Sequence, residues 1–340
     1  MQNTNDTIRT ASFALYRLPH ESTCHAIRTE PKELSGPGTL TGHTGFILAP
    51  SATSAGLPTL FFEGEPESRP MPQALPTSGL HAPSAPMTDE YRSDFLHLHG
   101  ELTAGRLRKV VLARSRTISM SGHAPALQIF ANACAAYPSA FVALVRTPRH
   151  GTWIMATPEL LVESHGGRLR TVALAGTMRK ADTAKQWSAK NRDEQGVVSR
   201  YVRQSISPLA QECECGATET ITSGHLLHLM TTFRFTLRPG ATALDVATAL
   251  HPTPAVCGMP KEAALQALSA TEHCRREYYS GFAGPLSANG DADLYVTLRC
   301  AKMDGDKCTL FAGGGLMPES RAADEWDETE AKMATIMSLL

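Results

Sequence analysis

The chain has 340 residues, 42% hydrophobic and 19% charged, with a formal net charge of −1. That is the composition of a soluble globular protein with a large core, and so even a charge balance gives no field for gathering nucleic acid or an anionic membrane. No window holds 18 uninterrupted apolar residues, "MQNTNDTIRTASFALYRLPH" has no apolar leader segment, and the eight cysteines form no C-x-x-C pair; the expectation is a cytoplasmic protein without a zinc site, monomeric by default.

Residues 1–87 are rich in Pro, Gly, Ser and Thr, with short apolar runs such as "TGFILAP" and "PTLFFEG" that predict strands between loops. From residue 88 the period changes. Tyr91, Phe95, Leu98 and Leu102 recur at helical spacing, with Thr88 placed to cap the helix and Gly105 to end it. The next run, "RKVVLARSR", is sheet-core material headed by Lys109, and a period of two puts Lys109, Val111 and Ala113 on one face. A lysine there is either a solvated strand end or a base inside a cavity.

"FVALVRT", "GTWIMATPELLVES" and "GRLRTVALAGT" follow as strands. A helical period returns from Thr183 to Ala210, with Val198, Tyr201, Val202 and Ile206 on one face, and "ECEC" at 212–215 reads as an exposed polar turn. "SGHLLHLMTTFRFTL" has strand character, and "DVATALHPTPAVCGMPKEAALQAL" predicts two helices around a proline-punctuated loop. "REYYSGFAGPL", "LYVTLRCAKM" and "KCTLFAGGGL" read as strands before a closing helix over about 322–340. Strands and helices without a regular βαβ rhythm define an α+β fold, with sheets packed core to core and helices outside.

Four segments carry chemistry: Lys109, Glu159 in "ATPELLVE", Glu194 in "AKNRDEQGVV", and "DEWDETEAK", where Glu325, Glu328 and Lys332 fall on neighbouring rows of one helix face. An acidic helix turn is most often a solvated face. Carboxylates from two different helices, if they meet, suit a hard Mg²⁺ ion.

"KVVLARS", "TPELLV", "LAGT", "LHPTPAV", "YYSGFAG", "LRCAKM" and "AGGGL…EWDETEAK" occur in this order. In that respect the chain resembles the chorismate-utilising enzymes, a family of anthranilate, aminodeoxychorismate, salicylate and isochorismate synthases. The likeness covers a catalytic region over 88–340, with 1–87 as weakly matching strands and loops of the same large domain. It implies chorismate as the small-molecule substrate and Mg²⁺ as the cofactor. Ala175 stands where aminodeoxychorismate synthases carry a lysine nucleophile, and alanine has no nucleophilic atom. Lys109, where anthranilate synthases carry glutamine, resembles the base that activates water for attack at C2. With "LHPTPAV", these positions imply isochorismate synthesis for menaquinone or a catecholate siderophore, ahead of salicylate synthesis or a non-catalytic chorismate-binding role.

The resemblance makes Glu159 the acid that protonates the departing C4 hydroxyl, and burial against Leu160 and Leu161 favours its protonated form. It assigns Mg²⁺ to Glu194 and Glu328 with Glu325 nearby, and the enolpyruvyl carboxylate to Arg299 and the backbone of Gly313, Gly314 and Gly315, with Lys332 as a further cation. Ala175, Gly176, Thr177, Tyr279 and Leu229 are implied to wall the pocket. His228 is either near the substrate or a core histidine bonded to a backbone carbonyl.

Overall fold

The computed structural model of the chain describes residues 11–36, 40–54, 56–76, 85–120, 125–180, 186–223 and 226–340. Among these residues the strands form two nine-stranded antiparallel sheets. The first runs, in spatial order, β14 (Gly258–Met259), β7 (Lys109–Ser119), β18 (Lys307–Leu316), β17 (Cys300–Asp304), β9 (Gly151–Thr157), β8 (Phe141–Thr147), β1 (Phe13–Arg17), β2 (Thr23–Ile27) and β6 (Glu67–Pro70). The second runs β12 (Ala210–Ser223), β13 (Leu226–Leu237), β11 (Arg168–Arg179), β10 (Leu160–His165), β16 (Ala292–Val296), β15 (Phe282–Leu286), β4 (Gly45–Ala49), β5 (Thr59–Glu63) and β3 (Lys32–Leu34).

The sheets pack face to face. Alternation along each strand sends one set of side chains inward and the other outward: Phe46 and Leu48 of β4 meet Phe141, Ala143 and Val145 of β8 in the core between the sheets. The intervening Ile47 and Ala49 face an outer core covered by α3 (Ala189–Ile206) and α4 (Ala243–Leu250). Val142 and Leu144 face another, covered by α2 (Ala126–Ala136) and α6 (Ala322–Met337). A fourth cluster joins α1 (Asp89–Thr103) and α5 (Lys261–Thr271) to β7. Thr88 caps α1 by accepting from the Tyr91 N–H, and Gly105 follows its end with φ +72°. Strands from residues 1–87 complete both sheets.

Several elements differ from the sequence expectation. "ECEC" is not a turn: it lies in β12, an edge strand whose residues 211–220 are exposed on both sides. The helix of the third quarter is Ala189–Ile206, shorter at both ends than its periodicity, and residues 183–185 of that expectation lie outside the described residues. The helix α2, "ALQIFANACAA", is apolar almost all round and gave no clear period.

The most consequential difference concerns two runs read as single strands. "GTWIMATPELLVES" is β9 and β10, and "LYVTLRCAKM" is β16 and β17. In each, the chain leaves one sheet and enters the other. The two crossings lie side by side, because β9 pairs with β17 and β10 with β16. Pro158 interrupts the first run, having no N–H for a ladder. Arg299 interrupts the second with φ +46°, outside the strand region. The Ala156 N–H donates to the Arg299 carbonyl (3.1 Å) and the Val296 N–H to the Glu159 carbonyl (2.9 Å), so the crossings are tied to each other.

Candidate active site

A cleft of about 710 Å³, its open mouth included, lies where the crossings, β7, β18 and the two helices α3 and α6 meet. It is lined by Lys109, Glu159, Glu194, His228, Arg299, Glu328 and Lys332, together with Ala175, Gly176, Thr177, Tyr279, Gly313 and Gly315. Thirteen of the sixteen residues proposed from sequence therefore share one cavity, from segments far apart in the chain.

Gly314, Leu229 and Glu325 do not line it. Gly314 and Leu229 are displaced by strand alternation, each falling between residues that face the cleft or its wall. Glu325 lies behind Gly314, where a Cβ would come within 2.9 Å of Glu325 Oε2. Its other oxygen, Oε1, accepts from Lys190 Nζ (3.0 Å) and Ser320 Oγ (2.6 Å). Val111, Pro158, Leu174, Ala255, Leu298, Phe311 and Ala312 complete the wall. Val111 and Phe311 could have been found from sequence, since each lies two residues from Lys109 or Gly313 on its strand.

Lys109 is 1% exposed and is no snorkelling strand end: its ammonium donates to Glu194 Oε1 at 2.7 Å. Gly315 opposite leaves room for this pair, because a Cβ there would lie 2.9 Å from the same Glu194 oxygen. Glu328 accepts from Lys332 (2.7 Å), which also donates to the Gly313 carbonyl (2.7 Å). Burial alone would raise Glu328, but the ammonium and hydrogen bond of Lys332, together with the Lys190 charge, hold the carboxyl below its ordinary range. Glu325 is raised by burial and by the neighbouring Glu328 charge.

Glu159, at the first crossing, is buried, and loss of solvation pushes its carboxyl up to about 7 against the pull of Lys109 and Lys332. Arg299, at the second crossing, donates through Nη1 to Thr335 Oγ1 (3.1 Å), and burial lowers its guanidinium from its ordinary value. His228 is bonded to a backbone carbonyl, as one of its two readings expects. It lines the cleft, and its Nδ1 lies 3.1 Å from the Gly176 carbonyl. A carbonyl accepts only, so Nδ1 carries the hydrogen and Nε2, buried without a partner, is left as an acceptor. Burial, Arg299 and Lys332 lower this ring to about 4, so it is neutral near pH 7.

The donor set suits a hard cation: carboxylates reach the cleft from α3 and α6, and Glu325 Oε2 is buried without a partner. As they stand, Glu194, Glu328 and Glu325 each bond a lysine, and among the described residues no three His, Cys, Asp or Glu side chains are grouped to ligate one ion.

This fold matches the solved structure of the menaquinone-specific isochorismate synthase of Escherichia coli at TM-score 0.81 over 97% of this chain and 89% of that one. At 21% identity this likeness is one of fold. The profile described as "Chorismate binding enzyme" matches residues 63–340, and the chain belongs to that family of enzymes. The vibriobactin-specific isochorismate synthase of Vibrio cholerae is 33% identical over 75% of this chain and 67% of its own length. Isochorismate synthase EntC of Escherichia coli is 31% identical over 68% of this chain and 62% of its own. The chain thus aligns with about two thirds of the length of these relatives. No helix among the described residues is long and apolar enough to cross a membrane.

Proposed function

We propose that the chain is an isochorismate synthase, an isomerase that adds water at C2 of chorismate and expels the C4 hydroxyl. The observation that carries this reading is that Lys109, on β7, and Glu159, at the first crossing, line one cleft whose β11 wall offers Ala175 and no lysine. The names of the relatives support it, and they point to siderophore or menaquinone synthesis as the consumer of the product.

Lys109 takes the proton from water as the oxygen bonds to C2. Held 2.7 Å from Glu194, it must first give up that ion pair, so Glu194 has to be engaged elsewhere when Lys109 acts. Glu159, poised near neutrality, delivers a proton to the C4 oxygen as the C4–O bond breaks and the ring double bonds shift. Incoming and departing groups are both water, so no redox partner is needed. Arg299 pairs with the enolpyruvyl carboxylate, where a planar guanidinium gives a two-point fit. Glu194 and Glu328, with Glu325 beside them, would hold Mg²⁺, which supplies positive charge for the ring carboxylate.

Incubation with chorismate and Mg²⁺, followed by chromatography, should yield isochorismate. Lys109→Ala should lower kcat by at least about a hundredfold, the scale of one general base. Salicylate as the main product would replace this reading with a salicylate synthase, and undiminished turnover by Lys109→Ala would remove the base from the mechanism.

A further inference from the structure

Arg299 is fixed at its backbone, with φ +46° and its carbonyl bonded to the Ala156 N–H, but its side chain is long and has several donors to place. Among the described residues its one hydrogen-bond acceptor is Thr335 Oγ1, at 3.1 Å on α6. Thr335 lies seven residues after Glu328 and three after Lys332, on the helix face that turns both toward the cleft. Its mount is rigid. The Thr335 carbonyl, one of the last in α6, accepts from Tyr137 Oη (2.9 Å), while Ile336, Met337, Leu339 and Leu340 are buried in the core outside the first sheet.

We propose that Thr335 is a positioning residue for substrate binding: its hydroxyl oxygen holds the Arg299 guanidinium in the orientation that presents the remaining donors to the enolpyruvyl carboxylate. This rests on the reading of Arg299 given above. Without that acceptor the guanidinium has torsional freedom to lose on binding, and the loss appears in affinity and not in the chemical step. The last turn of α6 thereby joins Lys332 and Glu328 in setting one end of the site.

The test is a kinetic cycle with chorismate and Mg²⁺ on Thr335→Val, Thr335→Ser, Arg299→Ala and the double variant Arg299→Ala/Thr335→Val. Thr335→Val, similar in shape and without the acceptor, should raise KM about tenfold, the worth of one hydrogen bond to a charged group. Its kcat should stay within about twofold of the parent, and its Tm should not move. Thr335→Ser, which keeps the oxygen, should restore KM. In the Arg299→Ala background, Thr335→Val should cost nothing further, because the effect passes through the arginine. Thr335→Ala repeats the comparison if the valine variant folds poorly. An unchanged KM in Thr335→Val beside a raised KM in Arg299→Ala overturns the positioning role. Equal losses in both backgrounds overturn it too, since Thr335 would then act independently. Unchanged KM in both single variants overturns the reading of Arg299, and the positioning role with it.

Discussion

Glu159 and Lys109 have opposite relations to their surroundings. Lys109 is buried against the Glu194 carboxyl, whereas Glu159 is buried with no cation bonded to it among the described residues, and loss of solvation lifts it to about 7. As general acid it must be protonated, so kcat/KM should fall about tenfold per pH unit above pH 7, a slope measurable in a pH–rate profile. The same shift has a consequence for stability. A carboxyl that titrates near 7 when folded and at about 4.3 when unfolded favours the folded state in its protonated form. That contribution is fully present below about pH 4 and is lost as pH rises through 7. Glu159→Gln, which cannot ionise, should therefore gain Tm over the parent at pH 8 and little at pH 4, as thermal melts at the two pH values will read.

At the scale of elements, α3 and α6 each bring one carboxylate to the cleft, Glu194 and Glu328, and they are braced behind it by the Lys190–Glu325 pair. Lys190 precedes Glu194 by one turn and Glu325 precedes Glu328 by three residues, so this contact sets how far apart the two cleft carboxylates stand. The Glu325 side chain is 3% exposed. Lys190→Met would leave it buried without its cation, which should cost about 3 kcal/mol in a urea denaturation series. Lys190→Arg, with a charge of the same sign, should recover most of that loss.

The core between the sheets joins the two parts of the chain, and the strands between Phe13 and Glu63 contribute to it. Phe46, Leu48, Leu60 and Phe62 pack there against Phe141, Trp153 and Tyr295 from beyond residue 88. Phe62→Ala should destabilise the protein by about 3 to 5 kcal/mol, with fluorescence and circular dichroism melting together in one transition. Separate transitions would mean that the N-terminal strands fold apart from the cleft.

Local pattern was enough for the elements whose burial is one-sided: α1 with its Thr88 cap, the apolar face of α3, and the acidic row of α6 are legible because side-chain period and cap chemistry are properties of neighbouring residues. Most of the cleft's residues were also legible, through ordered motifs resembling a known family. Tertiary structure alone decided where the chain passes between sheets, because the strands on either side of Pro158 and of Arg299 are apolar on both faces, and their pattern does not tell which sheet each one joins. It also decided which glycines face the cleft, that Lys109 is paired with a carboxylate 85 residues away, and that Thr335 touches Arg299. A sequence records what each side chain can bond; which partner lies within 3 Å is set by the packing of segments far apart along the chain.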